Sequence, residues 1–513
     1  MTILYDSTKA FKCKVKYFLI KSIGFWLVYY PILSYNVMVM EKTKAKNTIE
    51  IMREKASPFF YGWCYPLILS LVTIICYFAK LDFVGLALYV VAFCFILIVF
   101  EDMTPALPIV LTFCMLFNDL SVLSSVALYI ILSPAVACLI AHFFLYPRKK
   151  AVFGQLFIPL AIVSAAMFLG GLGSFYLYLY ANGLSTIIGC GVMLLLIYFL
   201  FSQYICPPKD FDIKNYLISA IIVVAFTANA EMCIKYLFRF AANNHYRYAS
   251  LGWGHTNGVA SLILLAVPLC FYRMTKAENL IPDILVALFF IFCAYLSRSD
   301  GVLFILLLLL PFMFAFTLVR MKPYKRREFT LIFIFLAFLA LILIFFILDP
   351  VELWNKVVES LYNDSNRTPL YMAAVDCFKK YPIFGVGLGF YNDRLMDVVI
   401  HNFSELTTFN FHSVIFEVMA TMGIVGILAY GFYYYKRIRI LGKNNSNKNF
   451  FLMFGFIGIE LYAFIDTCEF VAVPIMIILT MLILFTEAGN KRDAFIEPLP
   501  LTHKVQTKKY IAI

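Results

Sequence analysis

SRSDGVLFILLLLLPFMFAFTLVR, residues 297–320, decides the fold. A charged turn at Arg298 and Asp300 gives way to a run from Gly301 to Val319 without a single charge, and Arg320 closes it. A run of that kind approaches the ~20 apolar residues that carry a helix across a bilayer. Similar runs recur along the chain, which is 63% hydrophobic and only 14% charged. Ordinary soluble domains stand at roughly 45–50% and about 25%. A β-barrel would show short alternating segments instead. The expectation is an all-α, polytopic integral membrane protein with about 12 to 15 transmembrane helices. The basic N-terminus (Lys9, Lys12, Lys14, Lys16) is followed by no small-residue cleavage site, so no cleavable signal peptide is expected.

The net charge of +12 is concentrated in short connections. Arg148, Lys149 and Lys150 form one group; Arg320, Lys322, Lys325, Arg326 and Arg327 a second; Lys436, Arg437, Arg439, Lys443 and Lys448 a third. Short Lys/Arg-rich loops mark the cytoplasmic side of a membrane, so the charge reports topology and no nucleic-acid partner is expected. Anchored on these loops, helices are predicted at 121–145, 151–169, 183–204, 216–238, 255–274, 281–296, 302–319, 329–348, 411–434, 451–467 and 470–487. Further runs lie near 59–79, 83–100 and 104–117. The expected organisation begins with a basic and apolar segment, 1–58, in which 17–40 is a span or an interfacial helix. Transmembrane helices follow over 59–348, with an external arginine loop at 239–254. A large extracytoplasmic loop with short helices occupies 349–410, C-terminal transmembrane helices 411–487, and a cytoplasmic tail 488–513. No internal repeat stands out.

Most of the thirteen cysteines sit inside apolar runs, among them Cys76, Cys94, Cys114, Cys190 and Cys293, and read as small packing residues. None has paired metal or redox spacing, and only Cys377 and Cys468 are expected on the outer side. Within the large loop, Thr368 as N-cap and Pro369 as first helical residue predict a short amphipathic helix. Its apolar face is Leu370, Ala373, Ala374, Cys377, Phe378 and Tyr381, and Pro382 ends it. Gly385, Gly387 and Gly389 then permit a tight turn beside a ligand or another helix.

Four of the six histidines, His245, His255, His401 and His412, fall in or at the rims of the external loops. His255 and His412 stand at helix starts, where the dipole favours anions and a neutral imidazole suited to general-base work. A histidine at a water interface with no task is the competing reading. Arg239, Arg247, Arg298 and Arg367 lie on the same outer side, against the usual charge bias. Converging guanidinium groups suit a diphosphate, although Arg239 reads as an interfacial anchor and Arg298 also suits an ion pair with Asp300. Glu231, in an apolar run, is expected to pair with one of these arginines.

Three pieces in order resemble the bacterial O-antigen ligase and O-antigen polymerase superfamily. They are YRYASLGWGHTNGVASLILLAVPL (246–269), SRSDGVLFILLLLL (297–310), and NRTPLYMAAVDCFKKYPIFGVGLG (366–389) followed by FHSVIFEVMATMGIVG (411–426). The resemblance covers about half the chain. It implies a GT-C-like membrane glycosyltransferase at the bacterial cytoplasmic membrane with its active site on the extracytoplasmic face. The donor is an undecaprenyl-diphosphate-linked glycan and the acceptor a glycan or lipid-linked glycan, with membrane lipid as surroundings, and the reaction is metal-independent and inverting with no cofactor. Position by position it implies His412 and Arg367 as catalytic residues. Arg247, Arg298, Gly385, Gly387, His255 and Asn257 would bind substrate. His401-Asn402 is a rival pair, but His412 has the family spacing to Gly423 and Gly426. Ser413 stands where the family usually has Asn, and two residues separate Arg298 from Gly301 in the turn. Aromatics of the loop (Tyr371, Tyr391, Phe409, Phe411) could stack on sugars or simply pack.

A polymerase and a ligase would share these residues, with a lean toward polymerisation because nothing identifies a lipid A acceptor. A flippase or transporter of lipid-linked glycans is the alternative, and it predicts charges along a central cavity with short loops. A membrane O-acyltransferase would also use histidine, but no acyl-donor site is evident.

Overall fold

The computed structural model describes residues 35–116, 126–172, 184, 186–241, 256–346, 367–388, 411–443, 446–465 and 473–496. Among these residues the regular structure is helical throughout. The chain divides into two compact units, residues 1–60 and 61–513. The described part of the first is α1, Tyr35–Phe60, whose sequence mixes lysine and glutamate with few long apolar stretches.

The second unit carries the membrane helices. They are α2 (Cys64–Phe78), α3 (Asp82–Val99), a short α4 (Leu107–Thr112), α5 (Val126–Leu145) and α6 (Phe157–Leu169). A π-helical turn, Ile187–Met193, leads into α7 (Leu194–Tyr204). Then come α8 (Ile213–Ala241), α9 (Thr256–Lys276), α10 (Ile281–Leu296), α11 (Asp300–Arg320) and α12 (Pro323–Phe346). The loop helix α13 (Arg367–Lys380) precedes α14 (Val414–Leu441), α15 (Asn447–Ala463) and α16 (Val473–Ile496). Among the described residues eight helices are long and apolar enough to cross a membrane, so this is a multi-pass membrane protein. Several runs expected to span form shorter helices, with 13 residues in α6, 16 in α10 and 17 in α15. The last helix continues past the expected residue 487 to Ile496.

α9 is the centre of the packing. Val259 through Tyr272 are all buried, because this helix is apolar on every side and neighbours surround it. It packs against α8, α10, α11 and α15. The approach to α15 depends on glycine: a Cβ at Gly455 would stand 2.7 Å from Leu265 Cδ1. Small residues let membrane helices close together where lipid offers no hydrophobic drive.

Polar side chains tie the helices at one end. Asn490 Oδ1 accepts from Lys214 Nζ at 2.7 Å and from Asn449 Nδ2 at 2.9 Å, while Asn490 Nδ2 donates to Ile440 O at 2.9 Å. Asn449 Nδ2 also donates to Leu441 O, Tyr272 hydroxyl to Asn215 Oδ1, and Lys448 pairs with Asp212. This end gathers the starts of α8 and α15 and the ends of α9, α14 and α16, and it is the end that carries the Lys/Arg-rich connections.

Candidate functional site

The opposite end holds the residues singled out for chemistry, and α13 organises them. Leu370, Ala373, Ala374, Asp376 and Cys377 of α13 are buried. Ala373, Ala374 and Cys377 pack with Val386, Phe411 and Ala420, with Tyr381, Phe416 and Met419 at the margin. The amphipathic face read from the sequence therefore docks α13 on the first half of α14. The helix begins at Arg367, slightly ahead of the Thr368 cap. Burial among these residues, with Asp376 next to it, pushes the Cys377 thiol up to about 12, so it packs rather than reacts.

The segment after α13 completes a break in α14. Gly423 has φ 59° and ψ −150°, which no helix accommodates. In an unbroken helix Ile424 and Val425 N–H would donate to Ala420 and Thr421 carbonyls. Here those carbonyls accept from Val386 N–H and Gly387 N–H, each at 2.9 Å. Ile424 N–H and Val425 N–H donate instead to Pro382 O at 2.8 Å and Ile383 O at 3.2 Å. Loop and helix exchange their hydrogen bonds, so the break leaves these four groups satisfied where water is scarce. Phe384 O also accepts from Gly171 N–H at 2.9 Å, which joins the end of α6 to the same loop. A Cβ at Gly385 would lie 2.4 Å from Thr421 C, and one at Gly423 2.6 Å from Ile383 O. Gly385 and Gly387, expected at a substrate, thus serve first as the backbone lock between α13 and α14.

His412 stands just before α14 with φ 47°, and it is half-buried. Tyr371 hydroxyl donates to His412 O at 3.5 Å, and the Tyr371 ring stacks on Phe416 with centroids 4.4 Å apart. Arg367, also half-buried, lies one helical turn before Tyr371 on α13. Tyr371 therefore ties α13, one turn after Arg367, to the backbone of His412. Glu417, in the first turn of α14, is buried and its Oε2 accepts from Phe411 N–H at 3.0 Å.

Arg298 is exposed on the α10–α11 turn with φ 52°. That turn is held against the end of α15, where Ser299 and Tyr462 hydroxyls are 3.2 Å apart and Gly301 faces Tyr462 and Ile465. Arg298 is thus at the same end of the helices as His412, on a different support. Asn257 is half-buried in the first turn of α9. Glu231 is buried in α8. Arg247, His245, His255, His401, Tyr391, Gly389, Phe409 and Cys468 lie outside the described residues, as does the side chain of Arg239. Of the loop aromatics, Phe411 is taken up in packing. Sequence reading passed over Glu417, although a lone carboxylate in an apolar run one turn after the histidine was a usable signal.

Fold and site together define a multi-pass helical membrane protein with an arginine–histidine constellation at one end. Residues 284–431 match the family model described as O-antigen ligase, a segment that contains Arg298, Arg367, Gly385, Gly387 and His412. This match supports membership of the chain in the O-antigen ligase/polymerase superfamily, and so a membrane enzyme of surface-polysaccharide synthesis. No curated protein matches the chain.

Proposed function

We propose that this chain is an O-antigen ligase/polymerase-type glycosyltransferase on the outer face of the bacterial cytoplasmic membrane. Its donor is a glycan on undecaprenyl diphosphate, and it transfers or polymerises glycan units for capsule, O-antigen or exopolysaccharide. The observation that supports the reading is the bond from Tyr371 hydroxyl, one turn after Arg367 on α13, to His412 O, at the end of the helices opposite the Lys/Arg-rich connections. By the charge bias of membrane proteins that end is extracytoplasmic.

His412 takes the proton of the acceptor hydroxyl as its oxygen attacks the anomeric carbon. The bond from that carbon to the diphosphate oxygen breaks, and the lipid diphosphate leaves from the opposite side with inversion. Arg367, with Arg247 from the preceding external loop, binds the diphosphate and offsets the charge that develops on it, in place of a metal ion. Arg298, Asn257 and His255 are assigned to substrate contacts.

The test is a deletion strain complemented with wild-type or variant chain. Deletion is expected to accumulate lipid-linked glycan, and wild-type to clear it, whereas Arg367→Ala and His412→Ala do not. Accumulated single repeat units identify a polymerase; polymer still made on the lipid but absent from its final acceptor identifies a ligase. Clearance by both variants at the wild-type rate would sink the catalytic assignment.

A further inference from the structure

Glu417 is a carboxylate only 6% exposed in the first turn of a membrane helix. Burying a carboxylate in such a place is costly, and it persists where it has partners and a task. The bond from Phe411 N–H to its Oε2 folds the side chain back over the helix start and holds the backbone at the residue before His412. Tyr371 holds the carbonyl on the other side of the same residue. Between these two anchors His412 adopts a left-handed φ of 47°, a strained conformation for a non-glycine residue. The imidazole also lies within electrostatic reach of the Glu417 carboxylate.

Ordinary helix capping does not account for this geometry. In a capping box the acid sits three residues after the N-cap and returns to the N-cap's own N–H. Here the N-cap is Ser413, whose side chain makes no capping bond, and Glu417 stands one position deeper and reaches two residues before the cap. The carboxylate addresses the backbone of the residue before the histidine rather than the helix terminus.

We propose that Glu417 is the positioning residue for His412. Its bond to Phe411 N–H fixes where the imidazole stands, and its charge stabilises the imidazolium formed when the acceptor hydroxyl releases its proton. The proton moves from the hydroxyl to the histidine and stays there, and Glu417 takes none. The arrangement is the general one of a base oriented by a third group. It rests on the function proposed above. Titratable groups on α13, which packs over this start of α14, are Arg367, Tyr371, Asp376, Cys377, Lys379 and Lys380. α6 brings none, and the Glu460 and Glu487 that α15 and α16 bring to α14 engage Arg437, Tyr198 and Lys491.

Lipid-linked glycan extracted from the deletion strain is the probe, supplied to the full-length protein in proteoliposomes. If wild-type protein leaves it unconsumed, the proposed function fails and this inference falls with it. If wild-type consumes it, Glu417→Gln, which keeps an acceptor for Phe411 N–H but no charge, lowers kcat about tenfold with KM little changed. The acid limb of its pH–rate profile moves to lower pH, because removing a nearby negative charge disfavours a protonated base. That limb does not depend on how much protein folds, and Glu417→Asp recovers part of the rate. On a His412→Ala background Glu417→Gln costs less than about twofold further. A Glu417→Gln enzyme with wild-type kcat and an unmoved limb, or full additivity with His412→Ala, would overturn the assignment.

Discussion

The two ends of the helices in the second unit are built on opposite principles. At the Lys/Arg-rich end, side chains do the binding: Asn490, Asn449 and Lys214 join α8, α14, α15 and α16 through buried hydrogen bonds. Helix backbones there remain regular. At the other end the backbone itself departs from regularity. Arg298 and His412 have positive φ, Gly423 breaks α14, and loop 382–387 supplies the hydrogen bonds the break removes. Strained backbone persists only where surrounding structure over-determines it, and it gathers where a site must be held in one form. The closed end keeps the helices together; the broken end places reacting groups.

This contrast makes predictions that differ in kind at the two ends. The largest effect is expected at the broken end. His412→Ala should lower turnover of lipid-linked donor by about 10²–10⁴ while the thermal midpoint in detergent barely moves. Unchanged turnover would remove His412 from the mechanism. Breaking a buried pair deeper in α14 should do the reverse. Arg437 is fully buried, 2.7 Å from Glu460 and enclosed by Tyr433, Tyr434 and Phe456. Arg437→Met leaves that carboxylate without its ion-pair partner and should cost about 3–5 kcal/mol of stability. Turnover per folded molecule should stay within about twofold, and a selective loss of turnover would join the two ends functionally.

Gly385→Ala tests whether the loop–helix exchange supports the site. A Cβ there meets the backbone of Thr421 at 2.4 Å, and φ of 65° is unfavourable to alanine. A loss of about 2–3 kcal/mol is expected, with turnover of the surviving folded protein also reduced, because the lock positions α13 against α14. Full turnover in stable Gly385→Ala protein would show that the exchange is dispensable. The smallest effect belongs to Asn490→Ala, which removes an acceptor from Lys214 and Asn449. A stability loss of about 1–2 kcal/mol with unchanged turnover is the expected outcome, read as a fall in midpoint temperature. A change in donor KM would contradict a purely structural role for that end.

Much of this was legible in the sequence. The helix boundaries follow from apolar runs and from punctuation such as Pro382, because in lipid a backbone has few alternatives to helix. The face of α13 was readable from the spacing of Leu370, Ala373, Ala374 and Cys377, which repeats with the helical turn. What escaped was long-range backbone pairing. Nothing local to PIFGVG says that its amide and carbonyl groups complete a helix some forty residues later, since hydrogen-bond exchange leaves no periodic trace in either segment. Gly385 and Gly387 were recognised as permitting a close approach to a ligand or another helix, and the backbone they bond is that of α14. Phe411 likewise fills the α13–α14 interface.

By itself the sequence determined that this protein is a multi-pass helical membrane protein, which end of its helices carries the basic loops, and that Arg298, Arg367 and His412 stand at the other. Hydrophobicity and charge act residue by residue, so composition along the chain suffices for these. Only the tertiary structure decided that Tyr371 of α13 meets His412 O, that Glu417 accepts from the N–H of the residue before the histidine, and that loop 382–387 repairs the break at Gly423. Those relations are distances between segments far apart in the chain, and they exist only once α13 is packed on α14.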